Sequence, residues 1–380
     1  MQKSQIAPRF KQIEDSFHKS MEDLKRKIIS RRSFEYGLYQ IFDRFLGKRR
    51  VNRFFGKRRK AFNEKLLVDL IKSGKGQAIP IERRKNLSLG EFKKNYRDKG
   101  IPVVIEGAAA DWDCVKKWSF EYFKKLHGDD VIAHTSQEIK EVYETTTLGD
   151  IIDNVISGGK KYYRFYPLLI RHPEHIKDFD YKWLLERRNP LTWFEAWQVF
   201  IGGKDAITHI HMENQCNLFV QTFGEKKWII YPKYYTMVFD PEPAKHMYRN
   251  PLMNPGKGAY DPFHPDFESY PRYEYINWFE TDLKPGDILF NPCFTWHTVK
   301  NTSNSISVGY RWVAPLYALK IFPLYFILDF LVKNPGIFKS AKLYVEDTNL
   351  VRVVESGNLE KYLKEKAEKE QALKAKPTTL

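Results

Sequence analysis

Cysteine is scarce in this chain: Cys114, Cys216 and Cys293 are the three in 380 residues. They are too few and too scattered for a disulfide framework or a cysteine-based zinc site, and a reducing, cytoplasmic setting is expected. Long apolar runs are missing too. The most apolar segment, IFPLYFILDFLV at 321–332, is short and interrupted by Pro323 and Asp329, which suits a buried helix or an oligomer contact better than a membrane span. MQKSQIAPRF at the start holds no apolar run of signal-peptide length. Acidic residues are in deficit, but unevenly. Of a net charge of +16, residues 19–60 contribute +11, from fifteen Lys/Arg against four Asp/Glu. Residues 1–18 add +1, so only +4 is left for the other 320 residues. The basic character therefore belongs to an N-terminal extension, residues 1–76, and not to the rest of the chain.

Proline is absent from residues 9–73. Apolar positions there, such as Phe34, Leu38, Ile41 and Phe45, recur at helical spacing, while Lys25-Arg26-Lys27, Lys48-Arg49-Arg50 and Lys57 to Lys60 decorate the stretch. Two readings stay open: a basic surface in residues 19–60 for an anionic partner, RNA or a membrane surface, or a helical extension packed on the main domain with its basic face solvated. Gly74 to Gly76 and Pro80 mark the boundary.

With 42% hydrophobic and 15% aromatic residues the chain can build a substantial core. Ser88 and Glu91 form a capping-box pattern that opens a helix to about Arg97. Ile101–Glu106 is a short β-branched strand, Trp118–Leu126 a helix, residues 147–157 another capped helix and Lys161–Phe165 a short strand. From Trp193 the pattern is mostly β: Ile207–Glu213, Leu218–Phe223, Lys226–Tyr231, Ile288–Asn291, Thr298–Asn301 and Ser305–Val313, separated by turn signals. Residues 233–280, with seven prolines, read as a loop-rich insertion. Short strands so punctuated predict a sandwich or barrel. Residues 316–380 return to helix and end in a charged tail.

The densest chemistry lies in THIHMENQCNLFVQTFGEKKWIIYP. His211 and Glu213 stand two apart in an extended run, so both side chains project from one face. A histidine and a carboxylate so placed supply two parts of a two-His, one-carboxylate set, a common cradle for non-haem Fe(II). The third ligand should be a distant histidine on a neighbouring strand, and His297 in GDILFNPCFTWHTV is the candidate. His209 would share the face of His211 in a regular strand and is a rival ligand. His264, in DPFHPDF, is expected to be structural.

The succession PVVIEGAAADW (102–112), KKWSFEYF (116–123), the His-x-Glu strand, Asn217, GEKKWIIYP (224–232), KPGDILFNPCFTWHTV (284–299) and ISVGYRW (306–312) resembles the cupin-like branch of the JmjC oxygenases, the group of the asparaginyl hydroxylase of hypoxia-inducible factor. The resemblance covers roughly residues 86–315. It implies a mainly β chain with flanking α: a double-stranded β-helix (cupin jelly roll) domain at 77–315, between the N-terminal extension and a helical C-terminal region. It also implies Fe(II) and 2-oxoglutarate as a co-substrate, with O2. His211, Glu213 and His297 fall on the family's metal ligands, Thr208 and Lys226 on its contacts to the remote 2-oxoglutarate carboxylate, and Asn217 on a polar residue of that pocket. Tyr163 is the chosen partner tyrosine, with Tyr162 and Tyr166 as rivals. The family's carboxylate ligand is more often Asp, and here it is Glu213.

The expected activity is hydroxylation of a protein side chain, an RNA base or a small molecule. The competing class is an inactive cupin-fold binding module, or a cupin holding a non-redox metal. Relatives often dimerise through C-terminal helices, and Leu324–Leu331 is apolar enough for a homodimer contact.

Overall fold

Gly47 divides the proline-free N-terminal stretch in two. In the computed structural model, which describes residues 6–135, 143–159, 162–163, 168–241 and 260–330 together with positions 361, 364 and 368, α1 (Ile6–Leu46) and α2 (Lys48–Lys72) form a hairpin. Gly47 joins them at φ +82°, a geometry open to glycine without steric cost. Antiparallel pairing is set by Arg32–Asp69, Tyr36–Phe62 and Phe42–Phe55. The inner face of the hairpin is core: Tyr36, Tyr39, Phe62, Leu66 and Leu70 are buried in one cluster with residues of the β strands.

The basic clusters divide accordingly. Lys25 is fully buried and donates to the carbonyls of Gly74 at 2.7 Å and Tyr275 at 2.6 Å. Arg59 is buried against Asp43 at 2.6 Å and lies over the Tyr39 ring. Arg49, Arg50, Arg53, Lys57 and Arg58 stay exposed, interleaved with exposed Phe45, Phe54 and Phe55. The hairpin therefore packs its inner face on the β strands and leaves most of these cations to solvent, with Lys25 and Arg59 buried as exceptions.

The β strands beyond the hairpin form two sheets. One has five strands in the order Ala78–Pro80, Trp278–Leu283, Lys226–Tyr231, Trp296–Asn301 and Ile207–Met212. The other has nine: Arg83–Arg84, Val103–Ile105, Ile288–Asn291, Cys216–Phe223, Ser305–Val313, Phe194–Gly202, Tyr162–Tyr163, Val131–Thr135 and Tyr143–Thr147. From Phe194 to Tyr231 the chain alternates large, small, large, small. From Trp278 to Val313 it alternates small, large, small, large. Two interleaved sets of four strands make the expected double-stranded β-helix, and the long connection separates the sets.

Where both ends lie among the described residues, the predicted strand ends hold to within one or two residues, while those of Lys161–Phe165 lie outside them; both capping boxes form, Ser88 with Glu91 and Thr147 with Asp150. The insertion ends earlier than the proline count suggested: Trp278–Leu283 is a strand, paired on both sides. The hairpin of Val131–Thr135 and Tyr143–Thr147 went unread because its threonines and charges lack an alternating apolar face. The helix Pro323–Phe330 buries Tyr325 and Leu328, and the Tyr325 hydroxyl donates to Gln40 of α1 at 2.9 Å. Residues 331–380 lie outside the described part of the chain apart from the three isolated positions. No helix among the described residues is long and apolar enough to cross a membrane.

Candidate active site

Strand pairing brings the three expected ligands together. Trp296–Asn301 lies antiparallel to Ile207–Met212, with His297 directly opposite His211 and their ring centroids 4.1 Å apart. The Nδ1–H of His211 donates to the His209 carbonyl at 2.8 Å, and that of His297 to the Thr295 carbonyl at 3.1 Å. Each ring is thereby fixed by one nitrogen and keeps Nε2 free, the arrangement that orients a metal-ligating imidazole. His211 Nε2 stands 3.4 Å from Glu213 Oε1. One donor atom from each of His211, Glu213 and His297 lies within 4.8 Å of the others. Burial, then the neighbouring His211, pushes His297 down to about 3, so its ring is neutral and its lone pair available at physiological pH.

The register explains His209. Val299 pairs with Thr208 while His297 pairs with His211, so two residues, His209 and Ile210, oppose Thr298 alone. This bulge breaks the alternation. His209 is exposed and belongs to no metal-binding cluster among the described residues, contrary to the shared face expected of a regular strand.

A second half of the site surrounds Lys226. Its side chain is buried and forms no ion pair with any described residue. Its ammonium sits 5.6–5.8 Å from the ring centroids of Tyr162, Phe200 and Phe219. Burial alone pushes it down to about 7. The Tyr162 hydroxyl reaches Thr208 Oγ1 at 3.4 Å. Tyr162, the rival, is thus the tyrosine seen beside Thr208 and Lys226. Tyr163 pairs with Ile201 through its backbone, but its side chain, like the whole of Tyr166, lies outside the described part. Asn217 is 1% exposed, and neither amide atom has a hydrogen-bond partner among the described residues. His264 is exposed and bonded to Asp261, away from the cluster.

Two residues that touch this cluster are absent from the sequence expectations. Arg311 lies beside Asn217 on the neighbouring strand, is 5% exposed, and donates through Nη1 to Glu213 Oε2. Burial pushes the Glu213 carboxyl up, but the Arg311 guanidinium and His211 overcome it and hold it well below the usual glutamate range. Asn291, on the other side of Asn217, accepts from the Thr295 hydroxyl at 2.7 Å and approaches His297 Nδ1 at 3.4 Å. Asn291 stands in GDILFNPCFTWHTV and Arg311 in ISVGYRW. An arginine as the only charged residue of its strand, SISVGYRWV, is the available signal.

The donor set suits a divalent transition metal with open positions: two imidazoles anchored to backbone carbonyls through Nδ1, the His297 ring neutral, and one ionised carboxylate. Lys226 and Asn217 fit an additional anionic ligand, since a buried cation and amide left without partners are costly unless something occupies them.

Fold and site together define a jelly-roll cupin with a His-Glu-His centre. The chain belongs to the cupin-like domain family, whose pattern matches residues 89–316. It is similar to lysine-specific demethylase 8 of Xenopus tropicalis, 28% identical over 238 residues, covering 59% of this chain and 51% of that one. It is also similar to two proteins of Homo sapiens. A tRNA wybutosine-synthesizing protein is 22% identical over 273 residues (62% of this chain, 79% of the relative). A bifunctional peptidase and (3S)-lysyl hydroxylase is 22% identical over 288 residues (64% and 87%). The chain spans about half the length of the demethylase relatives it matches.

Proposed function

We propose that the chain is an Fe(II)- and 2-oxoglutarate-dependent oxygenase that hydroxylates its substrate. The observation that carries this reading is the buried Lys226, without an ion-pair partner among the described residues, beside Thr208 and Tyr162 in the same barrel as the His-Glu-His cluster. A metal cupin with no anionic co-substrate has no use for such a lysine.

His211, Glu213 and His297 would hold the iron. Bound iron would supply the coupling of 2-oxoglutarate decarboxylation by O2 to oxidation of a substrate C–H bond, giving succinate, CO2 and the hydroxylated product. The chain's own residues do the rest. Lys226 and Thr208 bind the remote carboxylate of 2-oxoglutarate by charge and hydrogen bond, assisted by Tyr162. Asn217 offers its free amide to the same ligand. Arg311 occupies one oxygen of Glu213 and so leaves the other to face His211. Phe200, Phe219 and Trp228 keep water from the pocket walls.

Under anaerobic conditions, Fe(II) and 2-oxoglutarate added to the chain should produce the weak visible charge-transfer band of the iron chelate. His211→Ala should lose it. A wild-type chain that retains Fe(II) without developing the band on 2-oxoglutarate addition is instead a non-redox or purely binding cupin.

Gly202 gives a subtler test of the tyrosine. A Cβ there would lie 2.4 Å from the Tyr162 ring, so Gly202→Ala must displace the ring. Retention of 2-oxoglutarate should weaken about tenfold, the worth of one charge-assisted hydrogen bond, while Fe(II) retention stays unchanged. Equal loss of both ligands, or of neither, excludes Tyr162 from the co-substrate pocket.

A further inference from the structure

We infer that the helical flank carries a second metal site, built from His127, Glu174 and His175 and suited to Zn(II). None of these residues belongs to the His211 centre. His127 ends the helix Phe120–His127, and Glu174 and His175 lie on the short 3-10 helix Pro173–Asp178. One donor atom from each falls within 4.8 Å of the other two. The two imidazoles present Nε2 to Nε2 at 2.7 Å. A zinc ion with nitrogen ligands at 2.0–2.1 Å and a tetrahedral angle requires an N···N separation of about 3.3 Å, so loading opens the pair by only about 0.6 Å.

The surroundings are those of a ligand pair and not of two surface histidines. His175 is 5% exposed, and its Nδ1 faces Asp178 Oδ2 at 3.1 Å. The same carboxylate oxygen accepts from Trp118 Nε1 at 2.8 Å. This carboxylate–histidine unit orients the ring and leaves Nε2 directed at His127. Trp118, Tyr122 and Phe123 close around the His175 ring. Glu174, exposed on the outer side, completes a two-nitrogen, one-oxygen set and leaves a fourth position to solvent.

His127 is also within reach of Asp130 and His172. There, however, both ring nitrogens of His172 face carboxylates, Nε2 facing Asp130 Oδ2 at 2.6 Å and Nδ1 facing Glu174 Oε1 at 3.7 Å, and the His172 ring stacks on His127 with centroids 3.6 Å apart. His172 is therefore a packing neighbour of the site. The ion would clamp the end of the Phe120–His127 helix to the turn just after His172.

The test uses the full chain, untagged and stripped of metal, with the central site removed by His211→Ala/His297→Ala, so that its outcome is independent of the oxygenase reading. This protein should bind one equivalent of Co(II), with the intense visible bands of four-coordinate cobalt, and Zn(II) should displace it and raise the thermal midpoint. Adding His175→Ala should abolish binding. Asp178→Asn should weaken it about 10–100-fold, the usual cost of losing an outer-shell partner. Glu174→Gln removes a ligand from an exposed position and so tests the site without threatening the fold; it too should lose the cobalt spectrum. The proposal is overturned if the doubly substituted chain retains no Co(II) or Zn(II), or if His175→Ala and Glu174→Gln leave binding intact, which would make His127 and His175 a hydrogen-bonded pair only.

Discussion

Lys226→Met should make the unliganded chain more stable and at the same time abolish retention of 2-oxoglutarate. The two effects share one cause. Unliganded, Lys226 is buried without a carboxylate partner, and burial pushes it down to about 7 from its ordinary 10.5. Between those values the unfolded chain holds a proton that the folded chain has released, so stability rises with pH across that window. Below about 7 the folded chain carries the buried ammonium and its penalty in full. Contact with three aromatic rings offsets part of it, leaving about 2–4 kcal/mol for Met to recover at neutral pH. The gain should shrink as the pH approaches 10.5. Urea unfolding at pH 7 and pH 9.5, with both variants free of ligand, measures it.

Binding runs the other way. A carboxylate docked on Lys226 restores the charged form, so 2-oxoglutarate binding at pH 8 should take up close to one proton and weaken about tenfold per pH unit above 7. Calorimetry in buffers of different ionisation enthalpy reads the uptake directly. With Met in place, affinity should fall by at least about 30-fold, since losing one member of a buried charge pair costs roughly 2–5 kcal/mol. If Lys226→Met destabilises the chain and leaves 2-oxoglutarate retention unchanged, Lys226 has a structural role.

Why the sequence revealed some of this and hid the rest comes down to the range of each interaction. The His211-x-Glu213 pair, the capping boxes and the strand alternation are local, and all were legible. The fold and the grouping of His211, Glu213 and His297 came with the succession of motifs across residues 86–315, because those motifs carry a register that no single one contains. The bulge opposite Thr298 was not legible: it depends on how two strands meet, and it removes His209 from the face that alternation assigned to it. Arg311 was hidden for the same reason, since its partner Glu213 lies 98 residues away and becomes its neighbour only once the strands are paired. Tyr162 and Tyr163 differ by one residue, and a short strand pairing through Gly202 and Ile201 determines which ring reaches Thr208. The histidines of the helical flank lie 45 to 48 residues apart in HGDD and HPEH, with no repeated spacing to join them.

Glu213→Ala and His297→Ala should both eliminate Fe(II) retention, by more than about 100-fold given that outer-shell losses alone cost 10–100-fold, but only the first should endanger the fold. His297 is neutral, and its removal leaves a cavity beside Trp228 with no stranded charge. Glu213 is the partner of a nearly fully buried guanidinium. Its loss leaves Arg311 uncompensated, at a cost of about 3–5 kcal/mol. A third variant separates the two roles. Glu213→Ala/Arg311→Met removes both charges together, and replacing a whole buried pair by apolar groups is close to neutral. Its urea midpoint should return to near that of wild type while Fe(II) retention stays absent. Recovery of stability without recovery of iron would show that Glu213 has two separable functions, ligand and counter-charge. If the double variant is as unstable as Glu213→Ala, the carboxylate supports the fold through something other than Arg311, and the longer side chain at this ligand position needs a different explanation.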